Sequence, residues 1–297
     1  MKQYLYLLLC CFNFSLFGQT AVQPSSTTEY SVEDIEFKSA GVTLAGSIFK
    51  PMQVYAAVVL VHGSGRETRM LEMASTLAKH GIAVLTYDKR GAGKSGGIYA
   101  GPEVGTNNID SANLNLLALD ASSASDALLS HLPPTHGLLG LMGFSQAGWT
   151  IPLAAQKNSN VNFMILFSGP VITALEQLRF QFYTAGKPNF WETHTEAKVR
   201  EHIKNDADRY QFADTDPCDA LSKLTIPGLW LFGGKDVQVP VRLSMERLET
   251  LKIKGKQYEY QLFPELGHNT AFSKTKDPVD IAIRWIESNG FIKYPHQ

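Results

Sequence analysis

Ser145 stands in the run Gly143-Phe144-Ser145-Gln146-Ala147-Gly148. The apolar stretch 138–142 precedes it and the helix-like stretch 147–156 follows. A serine at the apex of a strand–turn–helix junction, flanked by small residues, has the spacing of the nucleophile elbow G-x-S-x-G. The small residues are needed because strand and helix nearly touch there; here the second small position is Ala147 instead of glycine. The chemistry this permits is attack of the Ser145 hydroxyl on an acyl carbon. The competing reading makes Ser145 an ordinary helix N-cap.

A serine hydroxyl is a weak nucleophile until a base takes its proton and a third group orients that base. The histidines downstream of Ser145 are His194, His202, His268 and His296. Only His268 follows a predicted strand, in the loop Pro264-Glu265-Leu266-Gly267-His268-Asn269. Asp236 is the candidate acid, because it follows the apolar run 229–232 in Gly233-Gly234-Lys235-Asp236. Its bland reading is a turn aspartate. Asp216 is a weaker substitute, and Glu265 is expected to face solvent. A tetrahedral intermediate also needs oxyanion donors. The backbone N–H of Gln146 is one candidate, and the N–H of Ser64 in His62-Gly63-Ser64-Gly65 is the second, with Gly65 as fallback. His62 is expected to be a structural hydrogen-bonder.

These residues need a scaffold, and the pattern supplies one. Segments 32–39 and 42–50 read as a hairpin turning at Gly41. Runs 56–61, 82–87, 138–142, 161–167, 226–232 and 257–263 read as strands. Helical spacing covers 70–80, 113–132, 147–156, 240–251 and 279–288. Alternating β and α predicts a mostly parallel sheet with helices on both faces. In such sheets the site lies at the C-terminal ends of the strands, where every candidate above falls.

Between 171 and 224 the alternation stops. Segments 171–183, 193–208 and 218–224 look helical, and Thr193 with Glu196 has capping-box spacing. We read 171–224 as a helical cap inserted between two core parts, 32–170 and 225–297. Its aromatic residues Phe180, Tyr183 and Trp191 are the substrate-contacting candidates, and Glu176, Glu192 and Glu196 could hold an ammonium group. The simpler reading of those glutamates is a solvated helix face.

With 44% hydrophobic and 19% charged residues and a net charge of −1, nothing points to nucleic acid. Residues 1–18 read as a signal peptide, with Ala21 as the alternative cleavage point, and 19–31 as a flexible leader. The expected location is periplasmic or extracellular in a bacterium, with no membrane insertion after cleavage. The alternative is an uncleaved anchor. Cys10 and Cys11 fit the apolar signal core better than a lipobox, so cleavage leaves Cys218 as the sole cysteine and no internal disulfide. No H-E-x-x-H, cysteine pair, Walker pattern or dinucleotide fingerprint is present, so no cofactor or metal is expected.

The motifs Leu60 to Gly65, Tyr87-Asp88-Lys89-Arg90-Gly91-Ala92-Gly93-Lys94-Ser95, Gly143 to Gly148, Gly233 to Pro240 and Gly267-His268-Asn269 together resemble the α/β-hydrolase superfamily. More narrowly, they are similar to bacterial esterases of the serine-aminopeptidase-like group. The resemblance implies an α/β-hydrolase fold, the triad Ser145, Asp236 and His268, and a structural role for 88–91. It implies a small-molecule ester or acyl substrate, with peptidase and thioesterase as alternatives on the same triad. A hydrolase-fold binding protein without turnover is a further alternative, because fold alone does not fix function.

Overall fold

The computed structural model describes residues 29–207 and 210–289. The expected signal peptide, residues 19–28 of the leader, Cys10, Cys11 and His296 lie outside the described residues.

Why the sheet is covered on both faces is plain from strand β3, after the hairpin strands β1 (Tyr30–Ser39) and β2 (Val42–Pro51). All six residues of β3 (Ala56–Val61) are buried. Ala57, Val59 and Val61 join one apolar layer, while Ala56, Val58 and Leu60 join the other. Side chains alternate across a strand, so a continuous apolar run demands a layer on each side. The remaining strands are β4 (Ile82–Tyr87), β5 (Leu138–Phe144), β6 (Val161–Phe167), β7 (Gly228–Gly233) and β8 (Tyr258–Phe263). They form one sheet in the order β1-β2-β4-β3-β5-β6-β7-β8. The pairs β1·β2 and β2·β4 are antiparallel, and every later pair is parallel.

The helices are α1 (Leu71–Lys79), α2 (Ser111–Ser130), α3 (Ala147–Lys157), α4 (Ala174–Thr184), α5 (Phe190–Thr193), α6 (Glu196–Asn205), α7 (Pro217–Leu221), α8 (Val241–Ile253) and α9 (Asp277–Ser288). α1 and α9 supply Leu77 and Ile286 to one layer; α2, α3 and α8 supply Ala121, Ile151 and Leu248 to the other. The chain leaves β3 for β4 on one side and later returns to β5 on the other. Such a switch point opens a crevice at the strands' C-terminal ends. The 62–65 loop and Ser145 flank it.

Helices α4 to α7 occupy the predicted insert; α4, α5 and α6 build a core of their own from Phe180, Phe190, Val199 and Ile203, while Leu221 of α7 packs into a sheet layer. Two local expectations change. The helix expected over 193–208 starts later, as α6 over Glu196–Asn205, and its cap is Thr195, which accepts from Lys198 N–H. Thr193 instead points its hydroxyl back to the Phe190 carbonyl. The capping box lies at α4, where Thr173 and Glu176 satisfy each other's backbone N–H. The first strand begins at Tyr30, inside the expected leader.

The hairpin turn also needs more than Gly41. Ala40 and Gly41 both have positive φ, 44° and 81°. Two such residues make the turn whose twist matches that of the flanking strands.

Candidate active site

The elbow is built from close packing. Ser145 has a φ of 53°, a left-handed conformation that costs a non-glycine residue free energy. Its N–H donates to the Phe167 carbonyl on β6 at 3.0 Å. A Cβ on Gly143 would lie 2.5 Å from the Val61 oxygen and 2.6 Å from the Ala147 Cβ. One on Gly148 would lie 2.5 Å from the Pro170 nitrogen. Ala147 itself is wholly buried, its methyl filling space that Gly143 leaves open. The departure from glycine at 147 is therefore accommodated by Gly143.

Asp236 and His268 come from adjacent strands. Their loops touch at Gly233, where a Cβ would lie 2.6 Å from the Leu266 oxygen. Gly234 N–H donates to the Phe263 carbonyl and Lys235 N–H to the Leu266 carbonyl, each at 2.8 Å. The buried Asp236 carboxylate then divides its work. Oδ1 accepts from the N–H groups of Gln238 and Val239, at 2.7 and 2.9 Å. Oδ2 faces His268 Nδ1 at 2.8 Å. A carboxylate only accepts, so Nδ1 carries the imidazole proton and Nε2 is left with its lone pair. The His268 loop is anchored beside the elbow. Ser168 Oγ and Thr270 Oγ1 are hydrogen-bonded at 3.0 Å, and the Phe144 and Phe272 rings meet edge-on at 5.0 Å.

Around Ser64 the backbone is braced on every side. The Glu67 carboxylate accepts from the N–H group of Gly63 at 3.1 Å. The buried Lys89 ammonium donates to the Gly63 carbonyl at 2.6 Å, the Gly65 carbonyl at 3.3 Å and Gln146 Oε1 at 3.0 Å. Tyr99 donates its hydroxyl proton to the Ser64 carbonyl at 3.2 Å. Gln146 Nε2 donates to the Asn108 carbonyl at 2.7 Å. Among the described residues, the N–H groups of Ser64 and Gln146 have no protein acceptor. His62 is buried edge-on against Tyr87. Burial and the Lys89 charge hold its pKa down to about 3, so it is neutral and unsuited to acid–base work near neutrality.

Of the insert residues, Phe180 is placed differently from expectation. Phe180 is completely buried in the insert core against Phe190 and Trp191, so it touches no substrate. Tyr183 stacks on His202 at 3.9 Å and meets His194 edge-on. Trp191 reaches the acid loop, where its Nε1 donates to the Asp236 carbonyl at 2.7 Å. Thr184 Oγ1 donates to the neighbouring Val237 carbonyl at 2.6 Å. Glu176 is paired with Arg247, Glu196 with Arg200, and Asp216 caps α7 and meets Arg247. Glu265 is exposed and pairs with Lys235 at 2.5 Å. A 270 Å³ cavity lies between the 102–109 segment and α4, lined by Pro102, Asn108, Ile109, Leu178, Phe182 and Tyr210 among others, and Asn108, which accepts from Gln146 Nε2, links it to the elbow.

Sequence reasoning missed Glu67, Tyr99 and Asn108. Glu67 returns to Gly63 from four residues away, a loop contact with no periodic signature. Asn108 acts through its carbonyl, which any residue would supply. Among the described residues, no group of three His, Cys, Asp or Glu side chains is placed to hold a metal ion.

Residues 52–217, more than half of the chain, match the family described as "Serine aminopeptidase, S33". No curated protein sequence matches. Among solved structures, an esterase of Pyrococcus furiosus superposes with a TM-score of 0.62 at 20% identity, over 88% of this chain and 91% of that one. The acylaminoacyl peptidase of Pyrococcus horikoshii superposes with a TM-score of 0.65 at 17% identity, over 92% of this chain and 44% of that one. At such identities these likenesses establish the α/β-hydrolase fold and no more.

Proposed function

Because the chain belongs to the serine aminopeptidase S33 family of α/β-hydrolases, we propose that it is a serine hydrolase cleaving carboxylic esters through an acyl-enzyme on Ser145. The observation that carries this reading is the hydrogen bond from half-buried His268 to buried Asp236, in a loop whose Phe272 packs on Phe144 next to a serine in a left-handed turn. His268 Nε2 takes the Ser145 proton as Oγ bonds to the acyl carbon. The carbonyl electron pair moves onto oxygen, where the N–H groups of Gln146 and Ser64 receive it. Asp236 stabilises the imidazolium through Nδ1–H. The imidazolium then protonates the departing alkoxide, and the C–O bond breaks. Water, deprotonated by the same imidazole, releases the acid and restores Ser145.

Two features favour an ester over a peptide with a free N-terminus. Of the three glutamates, Glu176 and Glu196 are committed to Arg247 and Arg200, which leaves only the exposed Glu192 to meet an ammonium group. The cavity that Asn108 links to Gln146 is lined mainly by apolar groups, which suits an apolar acyl or alcohol part. Export to the periplasm or medium is proposed from the pattern of residues 1–21 alone.

The test is hydrolysis of a graded series of chromogenic acyl esters beside aminoacyl arylamides, with wild type and Ser145→Ala. We expect ester turnover that disappears in the folded Ser145→Ala protein, and fluorophosphonate labelling confined to wild type. Arylamide cleavage in preference to esters would make it a peptidase. Undiminished ester turnover by the variant would remove Ser145 from the mechanism.

A further inference from the structure

Lys89 is a charge buried where a hydrolase of this kind has no evident need of one. Only 2% of it is exposed, and an ammonium group is costly to take out of water. All three of its protons are committed: to the Gly63 carbonyl, the Gly65 carbonyl and Gln146 Oε1. Two of these acceptors flank the Ser64 peptide. The third belongs to the residue that follows the nucleophile. One ammonium thus joins the loop after β3 to the start of α3, across the switch point of the sheet.

We propose that Lys89 is a positioning residue that sets the spacing of the two oxyanion donors and places a fixed positive charge behind them. The proposal rests on Ser145 being the acylated nucleophile. Donors that are already in place need no reorganisation when charge develops on the carbonyl oxygen, so their spacing acts on the transition state more than on the bound ester. Methionine could fill the same volume, yet it would leave three acceptors without a proton. The Ser64 loop would keep Glu67 and Tyr99, so the fold would survive while the gap between donors loosened.

The charged and titratable groups around Lys89 are Glu67 and His62 from β3 and its loop, Tyr99 with Arg66 on its ring, and Glu103 from the 102–108 turn. Burial pushes the Lys89 ammonium down to about 8, against the attraction of Glu67 and Glu103. His62 is held at about 3, also mainly by burial, and burial moves Tyr99 and Glu67 upward from their ordinary values. Arg66 stays charged throughout. Lys89 is therefore the member of this cluster that changes charge just above neutrality. A neutral amine has two protons for three acceptors, and one brace is lost.

The experiment compares wild type, Lys89→Met and Ser145→Ala on one ester, with kcat and KM resolved across pH. Far-ultraviolet dichroism and thermal melting report folding. In folded Lys89→Met, kcat is expected to fall roughly 100-fold to 1000-fold, the loss seen on removing one oxyanion donor, with KM within about threefold. Affinity for an alkyl boronic acid, whose serine adduct is tetrahedral, is expected to fall in parallel. In wild type, kcat is expected to decline above about pH 8 while KM holds. A kcat within about threefold of wild type in folded Lys89→Met overturns the proposal. If that variant does not fold, Lys89→Leu decides the matter in the same way: a folded protein with kcat within about threefold of wild type overturns the proposal. An active Ser145→Ala protein would instead overturn the nucleophile assignment on which the proposal rests.

Discussion

The division of labour between the two oxygens of Asp236 gives the residue scale its sharpest prediction. In Asp236→Asn, the amide oxygen is expected to keep the bonds from the Gln238 and Val239 N–H groups that Oδ1 now accepts. That leaves the amide NH2 facing His268 Nδ1, a donor where an acceptor was. The imidazole must then carry its proton on Nε2, toward Ser145, where it cannot act as a base. The loss of the correct tautomer is expected to lower kcat about 10⁴-fold with little change in melting temperature. Proton NMR of the imidazole would show the tautomer directly. A small loss of kcat would mean that His268 is oriented by something else. The three catalytic candidates were legible because each follows an apolar run, and the run marks a strand end. The groups that hold them were not. Lys89 sits in a glycine-rich segment that reads equally well as a solvated turn, and its burial follows from which loops the sheet order brings together.

Among the elements, the parallel strands and their covering helices were legible because both obey a period, two for strands and 3.6 for helices. The insert obeyed no such rule. Thr173-Ala174-Leu175-Glu176 and Thr193-His194-Thr195-Glu196 offer the same capping spacing, yet only the first closes a box. At the second, Thr195 is the better-placed cap, and the Thr193 hydroxyl is held by Phe190 and His194. Local spacing proposes a helix start, and the neighbours decide it. One element-level link has a measurable strength. Arg90 Nε donates to Asp120 Oδ2 at 2.9 Å and a second guanidinium nitrogen meets Oδ1, while Ser39 Oγ donates to Oδ1 at 2.6 Å. This buried cluster ties the β1–β2 turn and the loop after β4 to α2. Asp120→Ala leaves the Arg90 charge buried without its partner and is expected to destabilise the protein by about 3–5 kcal/mol. Urea unfolding measures it, and a loss below about 1 kcal/mol would show that solvent reaches Arg90 after all.

For the molecule as a whole, His62 sets an acid limit. Its imidazole is neutral in the fold, with a pKa near 3 against an ordinary 6.5. Between those values the unfolded chain takes up a proton that the folded chain refuses. Stability is therefore full above about pH 6.5 and is lost as pH falls toward 3, by at most about 1.4 kcal/mol per pH unit from this one group. Urea unfolding of His62→Gln at pH 7 and pH 5 should show a shallower fall than wild type, and equal slopes would assign the acid sensitivity elsewhere. The two clips from the insert to the acid loop have a wider consequence. The Trp191 indole and the Thr184 hydroxyl hold the carbonyls of Asp236 and its neighbour Val237. An insert grafted in from a relative without an indole and a hydroxyl at those places would release the loop that orients the base. The insert is therefore not an interchangeable cassette. Any exchange that preserves rate must bring an indole and a hydroxyl to those two places, which ties the insert's sequence to the working of the base.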